Sequence, residues 1–475
     1  MGESGYYSQK LKFLSLAALV FSTMIGGGIF NIPQNMAAQA SLGAVILSWL
    51  ITGAGVLFLI FTFRSLATLK PEYKTGIYQY AEAGFGQFTG FNMAWGYWLC
   101  VIISNIALGV MMNDSLGAFF PVLHEHGFPT IILINFLIWS VFALVVRGLR
   151  TASFINTLLT VVKFTTIALI VVLLIIYFKV GLLTADFWGN SFTGAGADIG
   201  SLSSQIKSTM LVTVFCFLGI ESAVMMSSHA VKNNDVAKAS VLAFVLALIL
   251  YTMISVLCYG IMSQQQLAGL SDPSMAYVLK SCAGEWAYYF VIGSIVLSVF
   301  ISWLSWTLIC AETPYGAATV KMLPSQFLRL NKHGMPAYGL VISSIFMSLF
   351  TIIVCTAPNV YLAALNLSIL MILPPYLFSS LYLCKISFSS QNKLRYLTTG
   401  IISSLYCLWC LYSGGLLLLM STSIFYVMGV GFYILAKKQY HTLSFSTADR
   451  IVFTLLVLAA LASIFLIYKG EIQLS

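Results

Sequence analysis

Of the 475 residues, 60% are hydrophobic and only 8% charged, with a mean hydropathy of +0.95, whereas a soluble domain carries about 25% charged residues. No water-soluble packing hides that much apolar surface, which excludes a soluble enzyme, a disordered chain and a nucleic-acid binder. The net charge of +9, from 23 Lys and Arg against 14 Asp and Glu, points in a membrane protein to basic cytoplasmic loops.

The first apolar run, from Phe13, continues into glycines with no small-residue cleavage site behind a short apolar core. It reads as a membrane helix and not as a cleavable signal. Gly2 lacks the Ser or Thr at the sixth position that myristoylation wants. Crossing the hydrocarbon core takes about 20 apolar residues. Thirteen such segments are predicted, near 13–40, 42–63, 85–121, 129–146, 154–178, 206–229, 239–262, 285–312, 337–356, 359–384, 397–414, 416–436 and 450–468. They fall into a cytoplasmic N-terminus (1–12), a first block of five spans (13–178), a second block of five (206–384) and a C-terminal group (385–475).

Charge tests the count. With the N-terminus inside, the cytoplasmic segments receive every basic residue except Lys163, which lies within a span, and Lys179, Lys207, Lys280 and Lys469, which fall outside. That alternation follows the positive-inside rule. The nine cysteines lie almost all in apolar runs and read as small hydrophobes. Cys407 and Cys410 form a CxxC, but within an apolar helical run, where packing is the expected role.

Glycine matters most where it interrupts a span. Thr23-Met24-Ile25-Gly26-Gly27-Gly28-Ile29-Phe30-Asn31-Ile32-Pro33 places three consecutive glycines at mid-membrane depth, each destabilising a helix by roughly 1 kcal/mol relative to alanine. Close helix packing uses glycines spaced by four, not a contiguous triplet. The sixth span carries Phe215-Cys216-Phe217-Leu218-Gly219-Ile220-Glu221-Ser222, a lone glycine beside the most deeply placed carboxylate. Two interrupted helices, each first in a block of five, point to an inverted-repeat transporter. Half-helix N-termini hold a carboxylate in that architecture, and unwound carbonyls hold an amine or cation. A zwitterionic α-amino acid suits both ends.

Met24-Ile25-Gly26-Gly27-Gly28-Ile29-Phe30, Phe217-Leu218-Gly219-Ile220-Glu221-Ser222 and Trp306-Thr307-Leu308 resemble the amino acid–polyamine–organocation superfamily, and within it the basic amino acid antiporters. The resemblance covers about residues 10–436. Ala311-Glu312-Thr313-Pro314-Tyr315, Asn331-Lys332-His333-Gly334-Met335-Pro336 and the thirteenth span look most like the arginine/ornithine branch.

The resemblance implies an all-α polytopic membrane protein with a LeuT-like five-plus-five inverted repeat, spans 1 and 6 unwound at mid-membrane, and a site among spans 1, 3, 6, 8 and 10. Gly27 and Gly28 would offer N–H groups to the substrate carboxylate; carbonyls near Met24, Phe215 and Leu218 would receive the α-ammonium. Trp306 would lie over the side chain and its guanidinium, and Asn105 and Ser368 would bond its distal end. Tyr97, Glu221 and Tyr376 match gating positions. Phe215 stands where arginine/agmatine exchangers have tryptophan, Gly27 where they have serine, and Leu108 replaces a methionine.

Charges inside a span are functional candidates, because burying one unpaired is costly. Glu221 is expected to attract a cationic substrate or couple to a proton; the alternative is a structural hydrogen bond to the broken helix. Lys163 has a counterpart in proton-coupled relatives, where its ammonium resembles a substitute for sodium; the alternative is a stabilising, snorkelling lysine. Glu312 is expected near the cytoplasmic end of span 8, lining an inner vestibule or pairing with a basic loop.

The expected function is a bacterial cytoplasmic-membrane exchanger of arginine for ornithine, or second for agmatine. Lysine/cadaverine exchange and proton-coupled symport on the same fold are the alternatives. No cofactor is expected, and the partners are amino acid substrates, the lipid bilayer and, as the family includes dimers, a second copy. An intramembrane enzyme lacks support: the five histidines lie in loops or near helix ends, and no HExxH or Gly-x-Ser-x-Gly occurs.

Overall fold

The computed structural model describes residues 13–73, 76–125, 127–147, 149–189, 199–221, 233–355, 360–441 and 446–471. Among these residues there is helix and no strand. The first predicted span is divided: α1 (Phe13–Met24) stops at the glycines, a 3₁₀ turn covers Gly27–Phe30, and α2 (Ile32–Ala37) follows. Then come α3 (Leu42–Leu69), α4 (Tyr78–Phe85), α5 (Gln87–Gly117), α6 (Phe128–Val146), α7 (Leu149–Ile176) and α8 (Val180–Ala185). The second half holds α9 (Leu202–Phe215), α10 (Asn233–Tyr259), α11 (Gln264–Ala268), α12 (Ser274–Ala283), α13 (Glu285–Thr319) and α14 (Ala337–Val354). It ends with α15 (Val360–Ser387), α16 (Lys393–Ser413), α17 (Leu416–Gln439) and α18 (Thr447–Tyr468).

Among the described residues, nine helices are long and apolar enough to cross a membrane: α3, α5, α6, α10, α13, α15, α16, α17 and α18. α7 and α14 contribute shorter apolar stretches, Lys163–Ile176 and Ala337–Ile353. The protein is an all-α, multi-pass membrane protein. Of the sixth predicted span, α9 covers the first part and 216–221 form turns; residues 222–229 lie outside the described residues. The short helices α4, α8, α11 and α12 were not expected, since their few apolar residues carry no span-length signal.

α5 is the axis. Its whole apolar stretch is buried, whereas only 11% of that of α18 is, so α5 is enclosed by protein and α18 turns most of its surface to lipid. α13, α15, α14 and α6 pack around α5, and α18 packs mainly on α17.

Hydrogen bonds between side chains fix the half-helix α9 against α3. Gln205 accepts from the backbone N–H and hydroxyl of Ser41, and the hydroxyls of Ser48 and Thr209, and of Thr52 and Thr213, meet at 2.7 Å each. The steps, four and four on α9 and seven and four along α3 from its N-cap Ser41, make a polar rail, the kind of interhelical bonding that holds helices together where lipid gives no hydrophobic drive.

α13 was expected to end at 312, ahead of Pro314, but continues to Thr319. Proline removes the N–H that would reach the carbonyl four residues back, here that of Cys310. The Ser343 hydroxyl donates to that carbonyl at 3.2 Å, so the helix passes through. Glu312 therefore lies two turns before the helix end.

Candidate functional site

The interruption of α1 is held open by specific partners. Beyond Met24 the chain turns, and the Met24 carbonyl accepts from Gly26 N–H at 2.9 Å and from the Tyr251 hydroxyl at 2.9 Å. Tyr251 is set in place by Trp49, stacked on it at 5.7 Å, whose own Nε1 donates to Ser255. Gly27 and Gly28 open the 3₁₀ turn, where the first N–H groups have no intrahelical acceptor. A side chain on Gly27 would collide with the Met111 sulfur, and one on Gly28 would meet the Phe215 ring at 3.4 Å. Met111 occupies the space that a serine side chain at position 27 would take.

A narrow cavity of about 30 Å³ lies at this turn. Its walls include Met24, Gly27, Gly28, Phe215, Leu218 and Trp306, all named from the sequence, with Thr23, Gly26, Ser104, Leu108, Cys216 and Tyr251. That is room for little more than water, far below the volume of an ordinary small-molecule site. Asn105 and Ser368 do not line it. Asn105 donates to Val101 O and Cys310 Sγ and takes a bond from Thr307; Ser368 bonds Leu365 O on its own helix. Ser104, Thr23 and Tyr251 were missed by the sequence reading, since small polar residues and a tyrosine in apolar runs give no distinguishing signal.

Three residues beyond Leu218, outside the pocket wall, lies a buried carboxylate. Glu221 is fully buried. Its Oε2 accepts from Tyr376 at 2.6 Å and from Gly219 N–H at 3.2 Å, and its Oε1 from Tyr97 at 3.1 Å. Gly219 has φ +105°, a conformation L side chains avoid, and so turns its N–H toward the carboxylate two residues ahead. Tyr97 comes from α5 and Tyr376 from α15, so three parts of the chain meet at one charge. The prolines 374 and 375 immediately before Tyr376 leave carbonyls without their helical N–H partner; that of Met371 takes the Tyr426 hydroxyl.

Lys163 is buried on α7 and donates to Ser302 Oγ at 3.2 Å, one helical turn from Trp306. Its neighbour Phe164 stacks on Phe21 of α1 at 5.2 Å, so α7 touches the interrupted helix there. Glu312 is half-buried and forms no ion pair among the described residues.

The sequence profile of the amino acid permease family matches residues 11–468. The chain is 40% identical to the arginine/agmatine antiporter of Chlamydia pneumoniae over 478 residues, covering 98% of this chain and 99% of that one. It is 39% identical to that of Chlamydia felis, covering 98% of each chain. It is 40% identical to that of Chlamydia caviae, covering 99% of each.

Proposed function

The chain belongs to the amino acid permease family, is a transporter and not an enzyme, and from that membership we propose that it exchanges arginine for agmatine across the bacterial cytoplasmic membrane by alternating access. The observation that carries this reading is a pocket lined by two helix interruptions and Trp306, with a hydrogen-bonded carboxylate three residues beyond its wall. Full-length identity to relatives named arginine/agmatine antiporter favours agmatine over ornithine as the counter-substrate.

Gly27 and Gly28 N–H groups receive the substrate carboxylate at the start of the 3₁₀ turn. The α-ammonium is left to carbonyls of the second interruption, near Phe215 and Leu218, because Met24 O already accepts two bonds. Trp306 takes the guanidinium by a cation–π contact worth about 0.5–2 kcal/mol. Exchange follows if the Glu221–Tyr97–Tyr376 cluster opens only around a loaded site, and the N-terminus is cytoplasmic on the charge pattern. Lys163, bonded beside the Trp306 turn, favours proton-coupled symport as the second reading.

Counterflow in proteoliposomes tests the proposal. Vesicles preloaded with agmatine should take up labelled arginine faster than empty ones, and ornithine should replace agmatine poorly. Absence of arginine uptake against agmatine, ornithine or lysine would end the antiporter reading; uptake into empty vesicles driven by a pH gradient alone would establish the symporter.

A further inference from the structure

We propose that Asp114, Asp272 and Tyr361 form a second cation site, beyond the pocket on the side opposite Glu221, where the side-chain cation of an entering or leaving substrate pauses. The proposal rests on the reading that the cargo carries a guanidinium or similar organic cation.

α5 sets the order. Tyr97 holds Glu221, Ser104 and Leu108 line the pocket, and Asp114 follows six residues after Leu108. At 1.5 Å per residue, Tyr97 lies about 10 Å before Ser104 and Asp114 about 9 Å after Leu108. Along this helix the pocket residues thus stand between Tyr97, which holds Glu221, and Asp114. Asp114 is buried, with Asn113 Nδ2 donating to its Oδ1 at 3.2 Å.

Asp272 arrives from the other direction. Two residues later, the Ser274 hydroxyl donates to the Phe30 carbonyl at 3.3 Å and accepts from Gln34 N–H at 3.2 Å. The start of α12 is thereby pinned to the end of the glycine turn. Asp114 and Asp272 lie within electrostatic reach of each other and of the Tyr361 phenol. Lys280 on α12 is engaged by Glu285 at 2.8 Å, away from the pair.

Tyr361 links this pair to the pocket. Its ring meets Phe215 edge-on at 6.4 Å, and its hydroxyl stands 3.7 Å from where a side chain on Gly28 would begin. Tyr361 is only 3% exposed, yet its hydroxyl has no hydrogen-bond partner among the described residues, and neither has Asp272 Oδ1. Asn31, just past Phe30, is fully buried with both side-chain polar atoms in the same condition. Buried polar atoms are almost always bonded to protein or ordered water, so the place is made for something the protein itself does not supply. Two acids and a phenol oxygen within reach of it favour a cation that donates hydrogen bonds and draws the proton off the Asp272 carboxyl as it binds.

The test measures KM for arginine separately on the two faces of membrane vesicles of known orientation, with sodium present or replaced by N-methylglucamine. Asp272→Asn should raise KM on the face where α5 ends at Gly117 by about three- to tenfold, and on the other face by less than about twofold. Tyr361→Phe should act in the same direction and keep the ring that packs on Phe215, which covers the case of a misfolded Asp272→Asn. Asp272→Glu should recover most of the loss, and Glu285→Gln, a surface charge, should change neither face. Equal shifts on both faces, or none in either variant, would overturn the site. A shift that appears only with sodium present would reassign it to an inorganic cation and overturn the substrate-staging role. Wild-type protein that exchanges no arginine would sink the functional reading itself.

Discussion

Tyr376 on α15 donates its hydroxyl to Glu221 at 2.6 Å across 155 residues of sequence. With Tyr97 on the opposite carboxylate oxygen, this bond ties α15 and α5 to the end of the half-helix α9. Hydrogen bonds to a charged group are each worth about 1.5–3 kcal/mol. Glu221→Gln turns one acceptor oxygen into a donor facing a donor. Exchange should slow about tenfold or more, with equilibrium arginine binding little changed. Binding lost with turnover intact would refute the gating role.

The two tryptophans of α13 should separate affinity from stability. Trp306 lines the pocket, while Trp303 is fully buried against Gly109. Trp306→Leu should weaken arginine binding about 3- to 30-fold. Trp303→Leu should lower the thermal midpoint, at up to about 3 kcal/mol, and leave affinity alone. Titration calorimetry and thermal unfolding in detergent distinguish them; equal affinity losses would displace Trp306 from the site.

Gly27 and Met111 should be coupled. A side chain on Gly27 collides with the Met111 sulfur, and overpacking of this kind costs about 1–3 kcal/mol. Gly27→Ser alone should therefore reduce both stability and arginine affinity, and Gly27→Ser with Met111→Ala should recover much of each. A tolerated single variant would show that the turn relaxes freely.

The polar rail between α3 and α9 should show measurable coupling. A double-mutant cycle with Ser48→Ala and Thr209→Val should give an interaction of about 0.6 kcal/mol, the average for such bonds in membranes. A vanishing interaction energy would mean that apolar packing alone holds α9.

Burial raises the Asp272 carboxyl from 3.8 to about 7. The folded state then keeps a proton that the unfolded chain has released, so stability falls as pH rises from about 4 to 7 and levels off above that. The thermal midpoint should decline over that range in the wild type, and the decline should be smaller in Asp272→Asn. Parallel profiles would place the Asp272 carboxyl in water.

Composition and span-length runs were enough to determine a multi-pass helical membrane protein, because hydrocarbon leaves a backbone few alternatives to helix. The glycine triplet likewise announced where α1 stops, since three residues without side chains at mid-membrane depth favour no helix. Six pocket residues were legible through the family resemblance that the glycine-bearing and Trp306 motifs carry. Tyr251, Tyr361 and Asp272 were not: a tyrosine in an apolar run looks like packing, and a loop aspartate looks solvated, until helices from distant parts of the chain surround them. Asn105 and Ser368 show the converse, suitable chemistry committed to bonds inside the bundle. Which polar atoms are satisfied by neighbours, and which are left facing a pocket, depends on how helices rotate against one another. Periodicity leaves that rotation open; the packing around α5 decides it.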